Sequence, residues 1–179
     1  MTDVKTDAVQ RNGGVGRLPD AFDRKILGAL IENADISYAD LGALVGLSAP
    51  AVHDRVKKLR ASGCLRGTSA IVDGPIIGKP LIAFVRVDIT GWCGTPEMIA
   101  LSDLPEVEEI HSVTGDASLL LKVRCASGPA LQSLLARIYA CPGVRGTRSD
   151  VVLSTSLERP VQAGVTDFDA RPDQPRAAS

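Results

Sequence analysis

Two short amphipathic patterns meet at a sharp turn between Ser37 and Arg66, and few folds accommodate that arrangement. In SYADLGALVGLSAPAVHDRVKKLRASGCLR, Ser37 stands where it can cap a first helix. Asp40, three residues on, makes a capping-box-like pair with it. Leu41, Leu44 and Val45 then recur at helical spacing, and Gly46 supplies the stop, because glycine takes a left-handed conformation without a Cβ clash. Ser48 can cap a second helix. Pro50 is tolerated there, since first-turn N–H groups have no helical partner. Val52, Val56 and Leu59 lie at i, i+4 and i+7 and form one buried face. Ala49, Ala51, His53, Asp54, Lys57 and Lys58 occupy the opposite side, and Gly63 ends the helix.

A helix, a turn of a few residues and a second helix with one apolar and one polar-basic face is the helix-turn-helix pattern. The second helix is expected to enter a DNA major groove with its N-terminal half leading. Ala49, Pro50 and Ala51 are small enough for close backbone approach. Arg55, Lys57, Lys58, Arg60 and Arg66 offer charge to phosphates, against Asp54 alone on the acidic side. The candidate DNA-binding set is therefore Ser48, Ala49, Pro50, Ala51, His53, Asp54, Arg55, Lys57, Lys58 and Arg66. The competing reading is a three-helix bundle with an ordinary solvated basic face, or one that contacts another protein.

Composition narrows the alternatives. Aromatic residues make up 3% of the 179, so stacking-based single-strand nucleic-acid binding is disfavoured and the cores must be aliphatic. The net charge of −1 argues against a general basic coat but leaves room for a local basic patch. The four cysteines, Cys64, Cys93, Cys125 and Cys141, form no CxxC pair, and with two histidines no zinc site of standard spacing exists. They read as free thiols in a reducing cytosol. No secretory signal and no uninterrupted run of about 18 apolar residues is present, so the chain is expected to be cytoplasmic, with no membrane contact.

Residues 1–17 are polar and Gly-rich and are expected to be disordered. Asp20 can cap a first helix carrying Phe22, Ile26, Leu27, Leu30 and Ile31, which completes a three-helix domain over 18–73. Cys64 to Val72 is weakly β-like and predicts a two-stranded wing around Arg66-Gly67-Thr68. Residues 74–80 read as a linker. Within them Gly74 to Lys79 superficially resembles a phosphate loop, but it has three residues between the glycines rather than four. Pro80 also stands where Ser or Thr should bind magnesium.

From Leu81 the pattern becomes strand (LIAFVRVDI), loop, helix from Pro96 (Met98, Ile99, Leu101, Leu104), strand (VEEIHSVT), turn at Gly115-Asp116 and strand (SLLLKVRC). A helix from Pro129 (Leu131, Leu134, Leu135, Ile138) and a last strand (VRGTRSDVVLSTSL) follow. The order β-α-β-β-α-β predicts a ferredoxin-like domain over 81–158, so the fold class is α+β. Phe84, Val85, Leu119 and Leu121 cannot all turn toward the helices. An identical sheet is the cheapest cover for the other face, which predicts a homodimer. Residues 159–179 are rich in Pro, Asp and Ala and read as a disordered tail.

Over about Leu18 to Leu157 the chain resembles the Lrp/AsnC family of leucine- and asparagine-responsive regulators. FDRKILGALIENADISYADLGALVGLS looks like that family's first two helices, and APAVHDRVKKLRASGCLRG its recognition helix and wing. LPEVEEIHSVTGDASLLLKV resembles its hairpin signature, and CPGVRGTRSDVVLS its last strand. The resemblance implies a winged helix-turn-helix, a C-terminal amino-acid-sensing domain, and dimers that assemble into tetramers or octamers. It also implies a free L-amino acid held at the contact between dimers, with no other cofactor. Carried over residue by residue, the effector positions are Thr114, Gly115, Asp116 and Ser118 at the turn and Thr147 and Ser149 on the last strand. The family often has a second acid where Ser118 stands, an aromatic near Ala117 and Tyr where Thr68 stands. These departures leave ligand identity open. Two other readings remain: an effector-independent DNA-organising protein, and an amino-acid-sensing enzyme or enzyme subunit. Against an enzyme, neither GxSxG, HExxH nor GxGxxG occurs, and His53 and His111 are the only histidines.

Overall fold

The computed structural model describes residues 18–91 and 100–164. The predicted disorder of 1–17, the loop with Trp92 and Cys93, the start of the helix from Pro96 and the tail beyond 164 lie outside them. Among the described residues the chain forms two compact units, 18–69 together with 158–164, and 70–157.

The first unit contains α1 (Ala21–Glu32), α2 (Tyr38–Val45) and α3 (Ala49–Ala61). Each starts on the cap the sequence predicts. Asp20 accepts from the Asp23 N–H at 2.9 Å, and the Asp23 carboxylate accepts from the Asp20 N–H at 3.2 Å, a full capping box. Ser37 accepts from the Asp40 N–H at 3.1 Å and gives its hydroxyl proton to Asp40 Oδ2 at 2.6 Å, a local variant of the box. Ser48 accepts from the Ala51 N–H. Gly46 closes α2 in the left-handed conformation. Gly42 is there for a different reason: a Cβ on it would lie 2.5 Å from the Leu47 carbonyl oxygen, so α2 and the turn can approach this closely only over glycine.

Ile26, Leu41, Val45, Val52, Val56 and Leu59 form the core, with Leu27, Leu30, Leu47 and Leu65 packed around it. Leu44 and Phe22, expected in the stripe, are 67% and 40% exposed. Leu41 and Val45, one turn apart, already fill the face toward α3, which leaves Leu44 on the outer side.

The predicted wing strands do not form: residues 66–73 are exposed and have no strand structure. The segment lacks a second sheet to pack on, and an isolated two-stranded ribbon is marginal in water. The linker at 74–80 is instead a compact turn. Asp73 caps it through the Ile76 N–H, Lys79 N–H returns to the Gly74 carbonyl, and Gly74 packs against the Arg124 side chain.

The second unit is one antiparallel sheet of β1 (Leu81–Ile89), β2 (Val107–Ser112), β3 (Leu119–Cys125) and β4 (Val144–Val151), in the order β2-β3-β1-β4. The helix α4 (Gly128–Tyr139) is capped by Ser127. Residues 100–102 are helical and place Leu101 in the core. β4 stops at Val151, short of the predicted Leu157; Leu153 and Leu157 are exposed.

Register assigns the faces. Ala83, Val85 and Val87 pair with Val123, Leu121 and Leu119, and all six are buried with Leu131, Leu134 and Ile138 of α4. Of the four residues expected to contest the helix side, only Phe84 faces away. The opposite face is therefore more polar than the sequence suggests. It carries ion pairs Arg86–Asp150 (2.9 Å), Arg148–Asp88 (3.4 Å), Lys122–Glu108 (3.4 Å) and Arg124–Glu108 (2.6 Å). Val107 and Ile110 lie three apart, which simple alternation would put on opposite faces. A bulge between Val107 and Glu109 lets both turn to the core, opposite Val123 and Leu121.

Candidate functional sites

The outward side of α3 is the first site. With Val52, Val56 and Leu59 buried, the 3.6-residue period turns Pro50, Asp54, Lys57 and Lys58 to solvent, and all four are exposed. Ala49 and Ala51 are half-buried at the helix start and Ser48 is exposed as its cap. His53 flanks this face. Its ring meets Tyr38 of α2 edge-on at 5.5 Å, and Nδ1 lies 3.6 Å from Asp54. Arg60 and Arg66 are exposed. Lysines in the second half of the helix and small residues in the first form a surface that suits a nucleic-acid groove and its phosphates.

Arg55 is a correction to the predicted set. Its guanidinium reaches back to α1, with Nη1 2.8 Å from Asp20 and 2.7 Å from Asp23, and lies over the Phe22 ring at 5.4 Å. The Arg55 hydrogen bond, followed by that of the Asp23 backbone, holds the Asp20 carboxyl below the usual carboxylate range, and the two acids raise the Arg55 pKa in return. Arg55 therefore staples the α1 cap to α3 and is not directed at phosphates. The sequence held a clue: Arg55 sits at i+3 from Val52 and i−4 from Leu59, beside the buried stripe.

The second site is a groove of about 290 Å³ at the turn between β2 and β3, on the sheet face away from α4. Thr114 and Asp116 line it. Gly115, between them, has φ +112°, which this turn requires and side chains disfavour. Arg86 of β1, Val113, Ala117, Leu120 of β3 and Arg148 of β4 line it as well.

Three expected effector residues are placed differently. Ser118 Oγ accepts from the Ile89 N–H, and its backbone N–H donates to the Val87 carbonyl, so it joins the turn to β1. Thr147 and Ser149 pair with Val87 and Val85, on the helix side of the sheet. Arg148, between them, has the groove side.

Arg86 and Arg148 are directly opposed on neighbouring strands, an arrangement that costs energy unless each cation is answered. The answers are diagonal, Asp150 for Arg86 and Asp88 for Arg148. Asp116 is exposed and pairs with no cation among the described residues. The groove thus presents two planar cations able to take carboxylates, one carboxylate able to take an ammonium, and an aliphatic floor. Among the described residues no cluster of three or more His, Cys, Asp or Glu could hold a metal, and no helix is long and apolar enough to cross a membrane. Cys64, Cys125 and Cys141 are free thiols; burial raises the Cys125 pKa.

Comparison with known proteins bears on both sites. Residues 20–60 match an AsnC-type helix-turn-helix domain and residues 83–162 an Lrp/AsnC ligand-binding domain. The leucine-responsive regulatory protein of Haemophilus influenzae is 38% identical over 140 residues, 75% of this chain and 83% of that one. The structure of Escherichia coli AsnC superposes with a TM-score of 0.74 at 31% identity, covering 81% of this chain and 99% of its own. A feast or famine regulatory protein of M. tuberculosis, complexed with L-methionine, superposes with a TM-score of 0.75 at 33% identity, covering 82% of this chain and all of its own.

Proposed function

The chain belongs to the Lrp/AsnC family of DNA-binding transcriptional regulators, and on that premise we propose how its two sites share the work. α3 is the recognition helix. Pro50 and Ala51 bring its start against base edges, Asp54 reads within the groove, and Lys57, Lys58 and Arg66 take phosphates. Ser48, Ala49 and His53 complete the contact. Arg55 acts indirectly, by fixing α3 on α1.

The open-face groove is the effector site, and the effector is a free L-amino acid. Asp116 takes its ammonium and an arginine its carboxylate. The single observation that carries this assignment is that one groove brings together two opposed arginines, the exposed Asp116 and Leu120. The neighbour that holds L-methionine supports the ligand class. The working form is a cytoplasmic homo-oligomer, a dimer or an assembly of dimers, with no catalytic role. Its paired recognition helices read half-sites roughly 34–36 Å apart or a multiple of that. The helix-turn-helix domain spans 18–73 and the sensing domain 81–158.

A gel-shift titration on the DNA upstream of the protein's own gene, repeated with each of the twenty amino acids, tests the reading. A specific shift altered by one or a few amino acids supports it. Specific binding that no amino acid alters would refute the effector assignment, and binding no tighter than to random DNA would refute an operator at that locus.

A further inference from the structure

We propose that residues 158–164 are a strap: they dock on a face of α1 that the three-helix core leaves open, and so give the DNA-reading unit a second tie to the sheet. The chain passes from the helical unit into the sheet unit at residue 70, and after β4 it re-enters the helical unit at residue 158. The connector is short. The Val152 N–H still donates to the Ile82 carbonyl, so only residues 153–157 separate the sheet from the strap. A connector of that length spans about 20 Å when fully extended.

The helix α1 has two faces to satisfy. Ile26, Leu27 and Leu30 pack into the core with α2 and α3. Arg24, Gly28 and Ile31, at i, i+4 and i+7, form a second stripe beside them. Gln162, Ala163 and Gly164 lie along that stripe, and with it they line a groove of about 270 Å³. Arg24, Ile31 and Ala163 are half-buried there. The Arg24 guanidinium donates to the Ala163 carbonyl at 3.2 Å, across 139 positions of sequence. This is a charge-assisted bond to main chain, so it depends on the path of the segment and not on a particular side chain. The path is set locally: Gln162 Nε2 donates to the Pro160 carbonyl at 3.0 Å, and proline fixes its own φ.

The grip lies close to the recognition helix. Asp23, the residue before Arg24, holds Arg55 of α3 at 2.7 Å. Neighbouring residues of α1 therefore carry the strap and the staple to α3. A contact this small would not capture a free peptide, but a short connector keeps the segment at roughly millimolar effective concentration. Two short ties restrict the helical unit more than one. Restricted orientation lowers the entropy lost when recognition helices meet DNA.

The test is to insert about twelve flexible Gly and Ser residues between Leu157 and Glu158 of the full-length protein, beside a chain ending at Leu157 and an Arg24→Met variant. Affinity for a random-sequence duplex, which needs no operator, is measured with the melting temperature. A dye on the exposed Cys64, in a Cys93→Ser, Cys141→Ser background, reports motion of the helical unit by time-resolved anisotropy. The insertion lets the strap dock but slackens the tie. It is expected to leave melting unchanged, add a fast depolarisation and weaken DNA binding about tenfold. The shortened chain and Arg24→Met are expected to weaken DNA binding similarly. If shortening lowers the melting temperature while the insertion changes neither motion nor affinity, residues 158–164 only stabilise the helical unit and the proposal is overturned. DNA binding unchanged or tightened by the insertion overturns it as well.

Discussion

The same substitution, glycine to alanine, is expected to act in opposite directions at two helical positions, because only one of them is a close approach. Alanine in a helix interior gains about 1 kcal/mol over glycine. At Gly28 of α1 an added Cβ meets nothing within 4 Å, so the gain is realised. At Gly42 of α2 the Cβ would lie 2.5 Å from the Leu47 carbonyl oxygen and 3.5 Å from the Ala49 nitrogen. That oxygen is main chain, in a turn fixed by the Gly46 and Leu47 N–H groups on the Gly42 carbonyl, so it cannot step aside as a side-chain tip would. At least 0.5 Å of separation must be found by moving α3 from α2, since real Cβ contacts under 3.0 Å are essentially absent. Overpacking of this kind costs about 1–3 kcal/mol, and against rigid backbone the upper part of that range applies. Net of the propensity gain, Gly42→Ala should lose roughly 1–2 kcal/mol while Gly28→Ala gains up to about 1 kcal/mol. In a unit of this size 1 kcal/mol moves the melting temperature by about 4–8 °C. Thermal unfolding followed by circular dichroism, with DNA affinity measured beside it, reads both. Gly42→Ala should melt lower and bind DNA more weakly, as α3 shifts. If both variants melt higher by similar amounts, the close approach at Gly42 is not a constraint and the reasoning fails.

Other outcomes follow from particular side chains. Lys57→Ala and Lys58→Ala should each weaken binding to specific and random DNA alike and reduce the slope of log K against log salt by about 0.9 for each phosphate no longer neutralised; unchanged slopes would exclude the phosphate role. Arg55→Met removes the pairing that lowers the Asp20 pKa. A lowered carboxylate pKa contributes stability that is full above the ordinary value of 3.8 and is lost as pH falls below it through the folded value. The wild-type advantage over Arg55→Met should therefore hold steady above about pH 5 and shrink in acid. An advantage independent of pH down to about 2 would refute it. Leu121→Ala, at the fully buried centre of the sheet, should cost about 2–5 kcal/mol by denaturant titration, and a loss under about 1 kcal/mol would contradict the packing.

What could be read from the sequence divides along the range of the interactions involved. The helix starts at Asp20, Ser37 and Ser48 were visible because a cap and its partner lie within three residues. The strands of the second unit and the Gly115 turn were visible by alternation and turn chemistry. The absence of wing strands was not, because strand formation at Cys64 to Val72 depends on a partner rather than on the residues themselves. Leu44 looked like core because spacing gives a stripe but not its width. Arg55 looked like a phosphate ligand because its two acids lie 32 and 35 residues away in the chain. In the groove, Thr114 and Asp116 were carried over from the family resemblance. Arg86 and Arg148 are 62 positions apart and meet only through the β1–β4 register, which a sequence does not display. A weaker signal did exist: in LIAFVRVDI, Arg86 alternates with Val85 and Val87, so it had to point away from the core those valines fill.

The register that hid those arginines also bounds what an effector can do. A ligand changes DNA affinity only by as much as its own affinity differs between two states of the protein. A tenfold effect on DNA binding corresponds to about 1.4 kcal/mol. The cross-strand pairs Arg86–Asp150 and Arg148–Asp88 are exposed, and each lies in the range of about 0–1 kcal/mol, so exchanging one or both for bonds to a ligand stays within the energy such an effect needs. No refolding of the sheet is required, because its core on the other side, from Val85 to Ile138, is untouched by the exchange. On the proposed effector reading, a ligand in this groove acts by redistributing the ion pairs between β1 and β4. That mechanism predicts a regulatory effect that fades as salt screens those pairs, on top of the salt dependence of DNA binding itself.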